Sequence, residues 1–120
     1  MNKITIVGAG RVGESAAHNL AKAELCREVV LIDIKEGVAQ GTALDIQESA
    51  PIFHFDTTLA GTTDLHAMAG SELVIISAGV PRKPGMSRSD VLDINLAVAY
   101  GIVDAMRKTA PNAMLLVVSN

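Results

Sequence analysis

Three glycines set close limits on how this chain begins to fold. They stand in the run Gly8-Ala9-Gly10-Arg11-Val12-Gly13, directly after an apolar stretch at residues 4–7 and before a segment with helical spacing. A strand that passes through such a turn into a helix leaves unpaired N–H groups and the positive end of the helix dipole at the turn. Gly8 permits the tight turn, Gly10 lets backbone approach a pyrophosphate with no Cβ in the way, and Gly13 lets the helix lie close to the strand. Asp33 follows the next apolar run, where a carboxylate accepts the two ribose hydroxyls of an adenosine and repels a 2′-phosphate. Together these features predict a β-α-β unit that binds a dinucleotide, NAD in preference to NADP. A glycine turn serving chain geometry alone, and binding of FAD or S-adenosylmethionine, stay open as alternatives.

The same strand-helix alternation continues along the chain. Short, mostly β-branched runs at residues 4–7, 29–32, 73–78 and 114–118 read as strands buried on both faces. A weaker strand is expected through Phe53, Phe55, Thr57 and Leu59, after a helix over residues 38–49 that Pro51 breaks. Val12, Ala16, Leu20 and Ala23 form one helical stripe; Val91, Asn95, Val98, Ile102 and Ala105 form another. The expected fold class is α/β: a Rossmann, doubly wound parallel sheet of about five strands in the order 3-2-1-4-5. The 120 residues are read as one truncated domain, with the sixth strand and a substrate domain absent and the fifth strand left as an uncovered edge.

Composition narrows the partners. A net charge of −3 with scattered Lys and Arg offers no footprint for nucleic acid or an anionic membrane. No apolar run reaches membrane-spanning length and no leader pattern precedes the first strand, so a cytoplasmic location is expected. Cys26, the single cysteine, has no zinc-type ligand spacing around it and reads as an apolar filler; no metal site is expected. Aromatics make up only 2% of the chain, so the core must come from aliphatic residues. The mean hydropathy of +0.35 implies that another domain or subunit covers part of the surface.

After the fourth apolar run comes a polar loop, Val80-Pro81-Arg82-Lys83-Pro84-Gly85-Met86-Ser87-Arg88. Ser87 and Asp90 have capping-box spacing, which starts a helix near Arg88, and Pro84-Gly85 lets the preceding segment swing. Two guanidinium groups beside a dinucleotide suit a carboxylate-bearing substrate, since each can form paired charged hydrogen bonds; plain surface solvation is the competing reading. Gly61-Thr62-Thr63 and Ser77-Ala78-Gly79 are expected at the same carboxyl edge of the sheet, either as plain turns or as cofactor contacts.

With these motifs, Leu31-Ile32-Asp33, Gly41-Thr42-Ala43-Leu44-Asp45 and Val117-Val118-Ser119-Asn120, the sequence resembles the lactate and malate dehydrogenases, specifically the lactate-dehydrogenase-like malate dehydrogenases, over its whole length. The resemblance implies an NAD-dependent oxidoreductase of the tricarboxylic acid cycle that interconverts malate and oxaloacetate. It assigns the cofactor to Gly8, Ala9, Gly10, Arg11, Val12, Gly13, Asp33, Asn95, Val118, Ser119 and Asn120. Arg82 would hold the distal carboxylate, Arg88 would polarise the reacting carbonyl as charge develops on its oxygen, and Asn120 would also face the substrate. Asn95 lies on an apolar stripe, so a satisfied buried amide is an equal reading.

In that family the proton-transferring His, its Asp and a second substrate Arg follow the position matching Asn120. His18, His54 and His66 fall outside the motif and read as structural or surface residues. The chain alone is therefore expected to bind NAD without turning over malate, and the longer protein to be a homo-oligomer, dimer or tetramer. A dehydrogenase for another 2-hydroxy acid such as lactate, and a non-catalytic NAD-binding or assembly module, are the remaining alternatives.

Overall fold

Apolar residues of the strands alternate between two opposite packing faces, and this divides the molecule into two layers around one sheet. In the computed structural model, which describes residues 1–119, five parallel strands stand in the order β3-β2-β1-β4-β5. The elements run β1 (Lys3–Val7), α1 (Arg11–Lys22), β2 (Glu28–Ile32), α2 (Val38–Glu48), α3 (Ala50–Phe53), β3 (Thr58–Thr62), a 3-10 turn at Leu65–Met68, β4 (Leu73–Ile76), α4 (Arg88–Thr109) and β5 (Met114–Val117). Ile4, Ile6, Val29, Leu31 and Ile75 pack on one side with Ala17, Ala21, Ala43 and Ile46 of α1 and α2. Val7, Val30, Ile32, Val74 and Ile76 pack on the other with Met68, Ile102 and Met106. The expected doubly wound sheet and strand order are both present, and Cys26 is buried in the first cluster as expected.

Two sequence expectations are corrected. The third strand takes in Leu59 but not Phe53, Phe55 or Thr57: Phe53 ends α3, and strand pairing begins at Thr58 opposite Glu28. The alternation at Phe55 and Thr57 comes from a loop that plugs the sheet edge. Phe55 is buried, and Thr57 Oγ1 donates to the Cys26 carbonyl at 2.8 Å. β3 itself, Thr-Leu-Ala-Gly-Thr, is a weakly apolar edge strand, so Gly61 and Thr62 lie in the strand and not after it. The second correction concerns α1, whose buried stripe is Gly13, Ala17 and Ala21, one step round from the predicted one; Val12 is 58% exposed. Small residues win this face because they bring the helix axis closer to the sheet.

Pro51 sits in the first turn of α3, where its missing N–H costs nothing, and the break after α2 falls at Ser49 as expected. β5 pairs with β4 on one side and exposes all four of its residues.

Gly61 lies where α2 touches β3: a Cβ there would overlap the Ala39 backbone, whereas a Cβ on Gly41 in α2 meets open space. Gly61→Ala should therefore destabilise the fold by about 1–3 kcal/mol. Gly41→Ala should stabilise it by roughly 0.4–1 kcal/mol. Urea unfolding of the two variants, with shifts of opposite sign, checks both.

Candidate functional site

The strand order reverses between β1 and β4, and the crevice above their carboxyl ends is where ligands lie in open α/β sheets. A groove of about 460 Å³ opens there, lined by the glycine loop, Asp33, Ser77 to Val80 and the inner face of α4. Gly8 has φ +113°, and a Cβ on it would come within 2.6 Å of the Ala78 nitrogen and 2.7 Å of Ser77 Oγ. A Cβ on Gly13 would overlap the Gly8 carbonyl, so both glycines are required by the close seam between α1 and the sheet.

Gly10 is different: nothing lies within 4 Å of where its Cβ would stand, and it forms the N-cap of α1 without a side-chain hydrogen bond. The first turn of α1 therefore presents backbone donors and a positive dipole end to the open side of the loop, an arrangement suited to a phosphate. The residues fit a dinucleotide in this respect.

Asp33, half-buried just past β2, accepts the Ala9 N–H with Oδ2 at 2.9 Å and the Lys35 N–H with Oδ1 at 3.0 Å. It borders the groove as predicted, and each oxygen keeps lone pairs for further donors. Ile34, 94% exposed beside it, adds an apolar wall that the sequence reading passed over. Ala9 is buried under the loop, and Arg11 and Val12 are exposed on the first turn of α1. Val118 continues the β5 ladder through its N–H to the Ile76 carbonyl, and Ser119 Oγ donates to the Ala78 carbonyl at 2.6 Å. Both are thus tied to the end of β4. Asn120 lies outside the described residues.

The arginine loop leaves β4 next to this groove. Gly85 takes φ +86°, and the Met86 N–H closes a turn onto the Lys83 carbonyl. Arg82 Nε donates to the Met86 carbonyl at 3.1 Å, so this guanidinium rests against its own loop. The capping box predicted from spacing is formed: Ser87 Oγ accepts the Asp90 N–H, Asp90 Oδ2 accepts the Ser87 N–H, and α4 starts at Arg88.

Arg82 and Arg88 line one cavity of about 580 Å³ with Val80, Pro81, Val91 and Leu92. Val80 also lines the groove under the glycine loop, so the two spaces share a wall. Buried Asn95 holds that wall: its Oδ1 accepts the Val80 N–H at 2.7 Å and its Nδ2 donates to the Val80 carbonyl at 3.4 Å.

The histidines stand apart. His18 meets Phe53 edge-on at 5.2 Å, His54 caps α3 in the left-handed region, and His66 pairs with Asp64 at 2.9 Å. Among the described residues, none of the three lines either space, and no cluster of His, Cys, Asp or Glu could hold a metal ion. Ser77, which the sequence left open between a plain turn and a cofactor contact, donates through its Oγ to the Gly8 carbonyl at 3.0 Å. Asking what satisfies the carbonyl of a glycine buried at the end of β1 was the signal available for it.

Residues 2–120 match the family described as lactate/malate dehydrogenase, NAD binding domain. A curated malate dehydrogenase of Thioalkalivibrio sulfidiphilus is 62% identical over 120 residues, which is 100% of this chain and 39% of that protein. The malate dehydrogenase structure from Picrophilus torridus, in its apo form, superposes with TM-score 0.95 at 36% identity, covering 99% of this chain and 38% of the other. The lactate dehydrogenase of Cryptosporidium parvum, solved with lactic acid and nicotinamide adenine dinucleotide, superposes with TM-score 0.91 at 36% identity over 99% of this chain and 37% of that one. The chain thus spans well under half the length of the proteins it resembles.

Asp90 is held below the ordinary carboxylate range, first by the Ser87 backbone N–H and then by its hydroxyl. A carboxyl whose pKa is depressed on folding stabilises the fold fully above its unfolded value and loses that contribution as pH falls through the folded one. Amide protection in the first turn of α4 should accordingly decline on acidification below the usual carboxylate range. In Asp90→Asn this acid-dependent loss should vanish, as followed by hydrogen exchange across the titration.

Proposed function

The chain belongs to the lactate/malate dehydrogenase family, as its NAD-binding domain, and from that premise we propose that it serves the reversible oxidation of malate to oxaloacetate. The observation that carries this reading is the shared wall at Val80, which sets a cavity bearing Arg82 and Arg88 against the groove under the glycine loop. When bound, NAD supplies the nicotinamide ring that accepts or returns the hydride. The protein's own part is to seat and orient. Backbone N–H groups from Gly10 into α1, through Arg11, Val12 and Gly13, receive the pyrophosphate; Asp33 takes the adenosine ribose, and Ile34 offers an apolar face to the base.

On the substrate side, Arg82 holds the distal carboxylate and Arg88 stabilises charge as it develops on the reacting oxygen. Asn95, Val118, Ser119 and Asn120 belong to the nicotinamide end in this reading, Asn95 acting through the Val80 backbone it grips. General acid–base work falls to a residue other than His18, His54 and His66, which stand away from both spaces.

The same reading makes this a cytoplasmic protein of the tricarboxylic acid cycle whose full form is a homo-oligomer, dimer or tetramer, with no nucleic acid or membrane partner. Exposed Leu44 of α2 and Ile52 of α3 support an assembled form. Among the described residues, no helix is long and apolar enough to cross a membrane. The competing substrate is a monocarboxylic 2-hydroxy acid, on the strength of the lactate dehydrogenase likeness. Arg82 favours malate, because a guanidinium facing a methyl group in a closed site has no counter-charge.

Titration of the chain with NADH should give saturable binding, much weaker for NADPH, and Asp33→Asn should weaken NADH binding by roughly tenfold or more. In a protein of the relatives' length carrying this sequence, Arg82→Gln should shift preference from oxaloacetate toward pyruvate by about two to four decades, the equivalent of roughly 3–5 kcal/mol. An unchanged preference ratio would remove Arg82 from substrate recognition.

A further inference from the structure

Resting on the dinucleotide reading, we propose that Ser77 is a positioning residue for cofactor binding, acting with Asp33 to clamp the single peptide that joins Gly8 to Ala9. The carbonyl of this peptide is that of Gly8 and accepts from Ser77 Oγ at 3.0 Å. Its N–H is that of Ala9 and donates to Asp33 Oδ2 at 2.9 Å. Ser77 follows β4 and Asp33 follows β2, so side chains from the two neighbours of β1 grip one peptide plane at its two polar ends.

The plane needs such a grip. Gly8 lies at φ +113° and has no Cβ, so its own sterics leave several orientations of the following peptide open. The next residue but one, Gly10, caps α1 and faces the open side of the groove; the orientation of the Gly8–Ala9 peptide decides where Gly10 and the first α1 donors point. Ser77 is also sized for its place. Ideal Cβ atoms on Gly8 and Gly13 would stand 2.7 and 3.1 Å from its Oγ, so the hydroxyl occupies the notch left by two absent methyl groups. Gly8 and Gly13 are buried, and the hydrogen bond from half-buried Ser77 is partly shielded from solvent.

It follows that Asp33 does two things at once. One oxygen braces the loop while the carboxylate as a whole selects the ribose, so substitution at 33 disturbs affinity as well as the choice between NAD and NADP. Ser77 isolates the bracing part, since it carries no charge and stands on the opposite side of the peptide.

The test measures NADH affinity of the chain by calorimetry and exchange of the Ala9 amide by NMR, for Ser77→Ala, Ser77→Thr, Asp33→Asn and the double variant Ser77→Ala/Asp33→Asn. Ser77→Ala should weaken NADH binding about three- to tenfold and speed Ala9 exchange, while Ser77→Thr, which keeps the donor, stays within about twofold of the parent. The double variant should lose less affinity than the product of the single losses, because both act on one peptide. Unchanged NADH affinity in Ser77→Ala, or multiplicative losses with an unmoved Ala9 amide, would overturn the clamp. Failure of the unsubstituted chain to bind NADH would instead overturn the dinucleotide reading, with Ala9 exchange still deciding whether the clamp exists.

Discussion

A methyl group will not fit between α1 and the end of β1, and much of the molecule is arranged around that fact. With Gly13 pressed onto the Gly8 carbonyl, the helix axis comes close to the sheet, and only small residues can continue the seam: Ala17 and Ala21 are fully buried along it. Larger apolar residues of α1 are displaced to its flanks, which leaves Val12 exposed at the helix start. The close approach also aims the N-terminus of α1 across the carboxyl ends of β1 and β4, where the sheet changes direction. A helix held one methyl farther out would end its dipole in solvent, away from that crevice.

The end of β4 is the second point of convergence. The Val7 carbonyl accepts N–H groups from both Ser77 and Ala78, Ser77 Oγ returns to Gly8, and Ser119 Oγ reaches the Ala78 carbonyl. Two residues on, Asn95 grips Val80 through both backbone groups. Glycine loop, arginine loop and the end of β5 are therefore joined through a stretch of four residues that has left the strand ladder but not its hydrogen bonding. Irregular backbone this close to the core is tolerated because side-chain partners satisfy it.

The features legible in the sequence are those whose cause is local. Gly8, Gly10, Gly13 and Asp33 sit in a strand-turn-helix context that only a few chain paths can satisfy, and Ser87 with Asp90 needs nothing beyond its own first turn. The buried aliphatic runs of β1, β2 and β4 declare themselves because they are covered on both faces. β3 does not, because it is a short edge strand chosen for close packing on α2, and a glycine at 61 carries no apolar signal. The α1 stripe was misplaced for the same reason, since periodicity weights Val12 and Leu20 above the glycine and alanines that make the contact. Ser77 could be placed at the carboxyl edge but not given its partner, because the Gly8 carbonyl is distant in sequence and becomes a neighbour only when β4 pairs with β1. Its role is tertiary from the start.

Substrate recognition poses a different problem, because residues 81 to 90 are exposed apart from half-buried Met86. Two unit charges 4 Å apart attract by about 1 kcal/mol in water and by about 4 kcal/mol at the lower effective dielectric of a protein surface. An open Arg82 therefore discriminates poorly between a carboxylate and a methyl group; discrimination grows as water is excluded from the cavity. In the proposed reading, the loop can make that change without loosening the cofactor groove. Asn95 fixes its first end at Val80, the capping box fixes its second at Ser87, and the intervening turn carries Gly85 at positive φ. The Arg82 bond to the Met86 carbonyl is internal to the loop, so it can travel with it or exchange for a carboxylate at little cost. In the proposed reading, ends held at Val80 and Ser87 let charge selectivity depend on closure of the turn between them, while the glycines, Asp33 and Ser77 keep the dinucleotide seat as it is.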